Sequence, residues 1–450
     1  MRNGCLFRQI NDEGRDDFIF LTESGLYEKL AASEQLIQHT VVSDPPVSKK
    51  GWKIIRPELI PFVSHPWEWG VETLHDAALC TLSICRTALH YGMVLKDASA
   101  FNIQFRGVRP VCIDTLSFTH YNEGEPWIAY GQFCSNFLGP LLCATRRDIR
   151  LLQLFKGYIN GIPLDLAAKL APWSSLISPS LLMHIHLHAR LQRLNSRRCQ
   201  KKRNISGKFS KNAMYGLLDS LEHAVMHCRV KQKRSTWSDY YRGYNNYSAE
   251  AFSEKKKIVR DMLGTVQPAT VWDIGANDGV FSKIAVEYAR RVIAFDSDYE
   301  VINRLYQQCK KLNNYTILPL VTDLTNPSAS CGWAHRERSS LARRGPVDCV
   351  MALALIHHLV IGNNVPLRDV ADYFALLTNS LIVEFVSKQD SQVRRMLATR
   401  NDIFDDYTER GFEEAFLAFF TIVRKQEITG TSRTLYLMNK RIGNSQNNES

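Results

Sequence analysis

Residues 271–285 read VWDIGANDGVFSKIA, and the fold of the chain turns on them. The apolar pair Val271 and Trp272 suits a buried strand that ends at Asp273. The chain then bends through Gly275, Ala276, Asn277 and Gly279, and a helix is predicted from Val280 or Phe281 onward. Small residues in such a bend let a ligand lie close to the backbone, and the first amides of the helix have no partner within it. These features together suit a nucleoside. A dinucleotide-binding turn needs G-x-G-x-x-G, the middle glycine leaving room for a pyrophosphate. Here Asn277 stands at the second glycine and Gly279 arrives one residue early, which counts against NAD and FAD.

Further along, apolar runs that suit strands alternate with runs of helical periodicity. They are TVWDIG, FSKIAVEYARR, VIAFD, VINRLYQQCKK, YTILPLV, DCVMALAL, DYFALL and SLIVEFV, in that order. The rhythm predicts an α/β fold, a doubly wound parallel sheet with helices on both faces. The runs FFTIVRKQEI and RTLYLM flank a glycine-containing turn, so an antiparallel hairpin is expected to close the sheet.

With that order around it, the 271–285 stretch resembles the D-x-G-x-G-x-G loop of class I methyltransferases dependent on S-adenosylmethionine (SAM). The resemblance covers roughly residues 237–440. It implies a seven-stranded Rossmann-like sheet, SAM as cofactor and methyl transfer as the reaction. It assigns Asp273, Gly275, Ala276, Asn277 and Gly279 to the cofactor loop. Asp296, 23 positions after Asp273, falls where the family places an acid on the ribose hydroxyls, and a carboxylate can accept from both. Asp323, after YTILPLV, matches the position beside the adenine. VDCVMALALIHHL resembles the fourth strand, whose end faces the transferring methyl group, and LIVEFV the fifth.

Methyl transfer asks the protein mainly to align an acceptor behind the methyl group and keep water out. A base is needed only where the acceptor must first lose a proton. His357 and His358, just past the fourth strand, stand where such a catalytic base belongs, although in many family members a similar HHL only packs. Glu384 is a weaker choice. Amino-methylating DNA enzymes carry an N/D-P-P-Y/F/W run at this strand end, and ALALIHHL stands here instead, which weighs against nucleic acid as acceptor. The rival to an enzyme is a SAM-binding protein without turnover, acting in sensing or assembly.

Residues 91–118 carry Asp97, Asn102 five positions on, and Asp114. They resemble the D-x-x-x-x-N and metal-binding I-D elements of kinase-like phosphotransferases, which implies a base at Asp97 and magnesium at Asn102 and Asp114. No Gly-rich loop precedes them, since Gly4, Gly14, Gly25 and Gly51 are isolated, and Lys53 is the nearest substitute for the nucleotide-binding lysine. Three readings stay open: a degenerate kinase-like module used for acceptor binding or packing, short motifs coinciding in an unrelated fold, and a working phosphotransferase. The missing loop and lysine weigh against the last, so no phosphotransfer is expected. With its PFVSHPWEW and KDASAFNIQF segments and the element Tyr244 to Ser248, nearly the whole chain is similar to bacterial two-part methyltransferase-like proteins. That group includes a rhizobial host-specific nodulation protein. The similarity implies a part in making or decorating a host-recognised signal or surface molecule, hence a small-molecule, saccharide-like or lipid-like acceptor.

At 450 residues, 45% apolar and 22% charged, the chain suits a globular protein with more than one core. The expected parts are an α+β module at 1–165 with strand-like runs such as DFIFLT and PVCID, a basic helical connector at 166–235, the SAM domain at 236–440 and a disordered tail at 441–450. The net charge of +11 is uneven: no acidic residue falls between Asp165 and Asp219, a stretch that holds Lys169, Arg190, Arg193, Arg197, Arg198, Lys201, Lys202, Arg203, Lys208 and Lys211. Such a block can meet nucleic acid, an anionic membrane surface or an acidic partner. No nucleic-acid module accompanies it, so a solvated helix and linker is the plainer expectation. The eleven cysteines include no CxxC pair, and His184, His186 and His188 lack helical i, i+4 ligand spacing, so no metal site is expected. The first residues turn acidic at once and no run reaches the ~18 apolar residues of a membrane span, so a cytoplasmic protein is expected.

Overall fold

The computed structural model describes residues 5–197, 209–229, 247–398 and 400–441. Arg198, Lys201, Lys202, Arg203, Lys208, most of the Tyr244-to-Ser248 element and the tail from 442 onward lie outside the described residues. The chain divides into two compact units, Met1–Gln232 and Lys233–Ser450.

In the first unit, β1 (Arg8–Asn11), β2 (His39–Val42) and β3 (Gly51–Pro57) form an antiparallel sheet in the order β1-β3-β2. The helix Val71–His90 follows, its apolar positions almost all buried. Beyond it, β4 (Met93–Leu95) pairs with β7 (Phe118–His120), and between them β5 (Ile103–Arg106) pairs with β6 (Arg109–Cys112). The run DFIFLT, strand-like by composition, is instead part of the helix Arg15–Glu23. Phe18 and Leu21, three apart, are its buried face, and Asp16 and Asp17 sit in the first turn, where the helix dipole favours carboxylates. The helices from 164 to 227, set apart as a connector by their charge, belong to the first unit. Lys211–His227 lies against Val71–His90 through Met214, Leu218, Leu221 and Val225, one stripe at helical spacing.

The second unit is built on seven strands: β8 (Thr270–Ile274), β9 (Arg291–Asp296), β10 (Ile317–Val321), β11 (Val347–Ala352), β12 (Thr378–Val386), β13 (Phe420–Glu427) and β14 (Arg433–Lys440). Their order is β10-β9-β8-β11-β12-β14-β13. The first five are parallel and β14 runs antiparallel to both neighbours. The five parallel strands are nearly continuous apolar runs because helices cover both faces. Sheet order reverses at β8: β9 and β10 lie to one side, β11 and β12 to the other. A doubly wound sheet opens a crevice at such a switch point, beyond the carboxyl ends of the strands. The hairpin expected at the end of the chain is β13–β14, turning at Gly430, and it docks through β14 rather than at its own outer edge. This Rossmann-like topology carries the antiparallel sixth and seventh strands of the methyltransferase fold.

Candidate functional site

The turn after β8 is hung from the end of β9. The amides of Gly275 and Ala276 both donate to the Phe295 carbonyl, at 2.8 and 2.9 Å, and the Asn277 amide donates to Asp296 Oδ2 at 2.9 Å. Holding three successive amides on one strand end forces left-handed backbone at Gly275 (φ 81°), Asn277 (φ 48°) and Gly279 (φ 76°). Asparagine tolerates that region better than most residues, which explains its standing at the second glycine. A Cβ on Gly279 would come within 2.5 Å of the Leu305 side chain, so this position needs glycine on two counts. The helix Val280–Ala285 starts there. It stops short of the predicted run because the Arg290 amide already pairs with Ala269 on the way into β9.

Asp273 is buried beneath the turn and accepts a hydrogen bond from Ser282 Oγ at 2.6 Å. Burial, with the Asp296 charge adding to it, pushes its carboxyl up to about 7 against the opposing pull of Ser282. Asp296 ends β9. Its Oδ1 accepts from the Asp298 amide at 2.9 Å and its Oδ2 from Asn277. Burial raises its carboxyl as well, opposed by these two amides. Each oxygen keeps a second lone pair, so two more donors can be received. Asp323 follows β10, and the Thr322 amide donates to the Asp296 carbonyl at 2.8 Å, which sets Asp323 beside Asp296 at the strand ends. Its Oδ1 caps the next turn through the Thr325 amide and hydroxyl, and the side chain is exposed. The cofactor residues expected from the sequence therefore gather along the carboxyl ends of three adjacent strands.

The fourth strand end completes the crevice, since Leu355 lies against the space a Cβ on Gly275 would occupy. His357 is fully buried just beyond, with the His358 ring 4.2 Å from its own. Burial, then the neighbouring cations and His358, holds His357 well below the usual histidine range, and burial lowers His358 too. Both rings are neutral at pH 7, and His357 is a poor proton acceptor. Glu384 is unsuited to base chemistry for the opposite reason. Burial works to raise its carboxyl, but Lys255 and Arg433 outweigh it and leave the group ionised and below the ordinary range.

That pairing belongs to a buried network that sequence reasoning missed. Lys255 Nζ donates to Glu384 Oε2 at 2.6 Å and to the Tyr247 hydroxyl at 3.0 Å. Tyr247 donates to Glu384 Oε1, and Arg433 reaches the Tyr247 hydroxyl at 2.8 Å and Asp390 at 2.8 Å. Two cations thus meet two carboxylates out of water, as buried charges must. The Lys255 ammonium also lies over the Phe281 ring at 5.0 Å, so the network abuts the helix that follows the turn. A signal existed in the sequence. Lys255 sits in a lysine run that reads as solvated, yet it falls on the stripe Ala251, Lys255, Ile258, Val259, Met262 that the helix Ala249–Val266 buries.

In the first unit the kinase-like residues are brought together in part. Asn102 Nδ2 donates to Ser117 Oγ at 3.2 Å, and Ser117 donates to Asp114 Oδ2 at 2.6 Å. Asp114 Oδ1 accepts from Arg8 Nη1 at 3.0 Å. Asp97 turns elsewhere, accepting from the Ser99 amide and from Gln132 Nε2 at 2.7 Å. The three clustered histidines do not converge on one point: His184 bonds to Tyr130 and Ser220, His186 to Ser175, and His188 stacks on Tyr130. Among the described residues no group of three or more His, Cys, Asp or Glu side chains is placed to hold a metal ion, and no helix is long and apolar enough to cross a membrane.

No family model matches the chain. Nodulation protein NoeA of Rhizobium meliloti (strain 1021) is 35% identical to it over 437 residues, covering 96% of this chain and 87% of that protein. The chain belongs to the NoeA family. Among solved structures, this NoeA relative overlaps N-methyltransferase NodS from Bradyrhizobium japonicum WM9 at 13% identity and TM-score 0.31, over 43% of this chain and 98% of that one. It overlaps magnesium protoporphyrin IX methyltransferase (ChlM) from Synechocystis PCC 6803, solved with bound SAH, at 15% identity and TM-score 0.31, over 45% and 98%. WbdD matches at 16% identity and TM-score 0.31 over 45% of this chain, which spans less than half of WbdD's length, 42%. For the NoeA relative itself, the sheet order and the turn after β8 carry the fold.

Proposed function

We propose that the second unit binds SAM in the crevice at the ends of β8, β9 and β10 and transfers its methyl group to an acceptor. The turn hung on Asp296 is the observation that carries this reading. Its left-handed residues leave the crevice floor clear of Cβ atoms at Gly275, and the Asp296 oxygens retain lone pairs for two ribose hydroxyls. SAM supplies an activated methyl group on a sulfonium. The chain's part is to hold the ribose at Asp296, set Asp323 beside the adenine, and present Gly275, Ala276, Asn277 and Gly279 to the amino-acid portion above Asp273. Membership of the NoeA family supports an acceptor connected with nodulation; we take that acceptor to be a small molecule, saccharide or lipid-like compound, and cysteines scattered without a CxxC pair fit a cytoplasmic site of action.

The state of the candidate bases favours a second reading, binding without turnover. His357 is held well below the ordinary histidine range and is a weak base, and Glu384 is committed to Lys255 and Arg433. An acceptor that arrives with a free lone pair needs no base, so the two readings part on experiment. Purified protein is incubated with methyl-labelled SAM and fractionated extract of its source cells. Label in a saccharide, lipid or small-molecule fraction is the expected result. SAM binding by calorimetry with no labelled product supports the second reading, and no binding overturns both.

A further inference from the structure

We infer that one face of the first unit is a docking surface for an anionic lipid bilayer. The helical run Leu182–Leu187 and His188–Arg197 buries Ile185 and Ala189 on its inner side. Its outer side exposes Met183, Leu187, Leu191 and Leu194, spaced four, four and three residues apart and therefore on one stripe. Arg190 falls within that stripe and Arg193 beside it, both exposed. The preceding short helix Trp173–Leu176 is pinned against this run by the hydrogen bond between Ser175 Oγ and His186 Nε2, 2.8 Å long. It carries Trp173, 86% exposed, and is followed by Ile177, 82% exposed. Ile177 and Met183 line one side of a depression of about 700 Å3.

An apolar stripe of this length is costly to leave in water, and a monomer that keeps one has a use for it. Its charge identifies the occupant. No acidic residue lies between Asp165 and Asp219, so the stretch that forms this face is basic, with Arg190 on the stripe itself. On the far rim, Asp219 and Glu222 are engaged by Arg86. A second copy docked here by two-fold symmetry would set this basic patch against the same basic patch. Nucleic acid would satisfy the arginines but leave an aliphatic stripe with nothing to stack on. A bilayer of anionic lipid answers both. The leucines and methionine enter the acyl boundary, arginine stems lie along it with their guanidinium groups at the phosphates, and an exposed tryptophan belongs at that depth.

The inference does not depend on the methyltransferase reading. Its test is flotation of the full-length chain with vesicles of phosphatidylcholine alone and of phosphatidylcholine with phosphatidylglycerol. Binding to the anionic vesicles, weakened by salt, is expected. The double variant Leu191→Ser/Leu194→Ser, and separately Trp173→Ser/Ile177→Ser, should each lower that binding about ten-fold or more, since each withdraws two large side chains from the acyl boundary. Arg190→Gln/Arg193→Gln should lower it and reduce the salt dependence. Trp333→Ser, which removes an equally exposed tryptophan from the second unit, should leave it unchanged. Equal binding by all variants, no binding to either vesicle, or a parent dimer that the leucine variant turns into a monomer would each overturn the assignment.

Discussion

At the scale of single residues, the two aspartates of the crevice do opposite jobs, and each has a measurable signature. Asp296 both supports the turn and faces the ligand. Asp296→Ala should weaken binding of S-adenosylhomocysteine by roughly ten-fold to a few hundred-fold, the equivalent of one or two charge-assisted hydrogen bonds. Because the same carboxylate carries the Asn277 and Asp298 amides, the unliganded variant should also lose about 1–3 kcal/mol of stability. Calorimetric titration and urea melts check the two effects, and unchanged affinity would remove Asp296 from the ligand site. Asp273 is raised from 3.8 to about 7, with burial as its leading cause, so the folded chain holds this proton more tightly than the unfolded chain does. Its contribution to stability is complete below about pH 4 and is lost as the pH rises through about 7. Measured against the parent, Asp273→Asn should therefore gain stability steadily between those limits and level off above them. A difference that stays flat with pH would mean that Asp273 is ionised throughout.

At the scale of elements, the helix Ala249–Val266 is tied to β12 and to the start of β14 by charge as well as by apolar packing. Lys255→Met should lower the free energy of unfolding by about 3–5 kcal/mol, because Glu384 then stays buried without its nearest cation. Adding Glu384→Gln to that variant should restore part of the loss, and urea melts of the two variants and the parent decide it. A single variant as stable as the parent would mean that the pair is not formed. This network was hidden because its members are scattered from Tyr247 to Arg433, and because a lysine run gives no outward sign of which lysine faces inward. The parallel strands were legible for the opposite reason. Being covered on both faces, they are written as nearly continuous apolar runs such as VIAF before Asp296 and LIVEF, interrupted only by Glu384. DFIFLT misled because a short apolar run has no period of its own, and the two aspartates ahead of Phe18 were the stronger sign. The helices Ser391–Leu397 and Glu409–Leu417 went unread because they are short and depend on capping by Asp390 and Thr408 rather than on a long stripe.

At the scale of the whole molecule, the second unit could be read from its order of motifs, whereas the first could be read only in fragments. The fragments at Asp97, Asn102 and Asp114 lie around two short antiparallel pairings, β4–β7 and β5–β6, and we propose that this part is a kinase-like arrangement without phosphotransfer. Both oxygens of Asp114 are already taken. Arg8 donates to one, the Leu116 amide to the same oxygen at 3.2 Å, and Ser117 to the other. A guanidinium at 3.0 Å supplies the positive charge that a divalent ion would otherwise bring to the carboxylate, and it excludes that ion by repulsion. The full-length chain given magnesium and ATP should therefore release no phosphate above background, and Asp114→Asn should behave as the parent does. The variant should bind S-adenosylhomocysteine with unchanged affinity, since the residues assigned to the cofactor, from Asp273 to Asp323, all belong to the second unit. Its stability should fall by no more than about 1 kcal/mol, because the Arg8–Asp114 pair is partly open to solvent. Magnesium-dependent phosphate release by the parent that Asp114→Asn abolishes would show instead that Arg8 yields its place to the metal, and that the first unit is a working phosphotransferase.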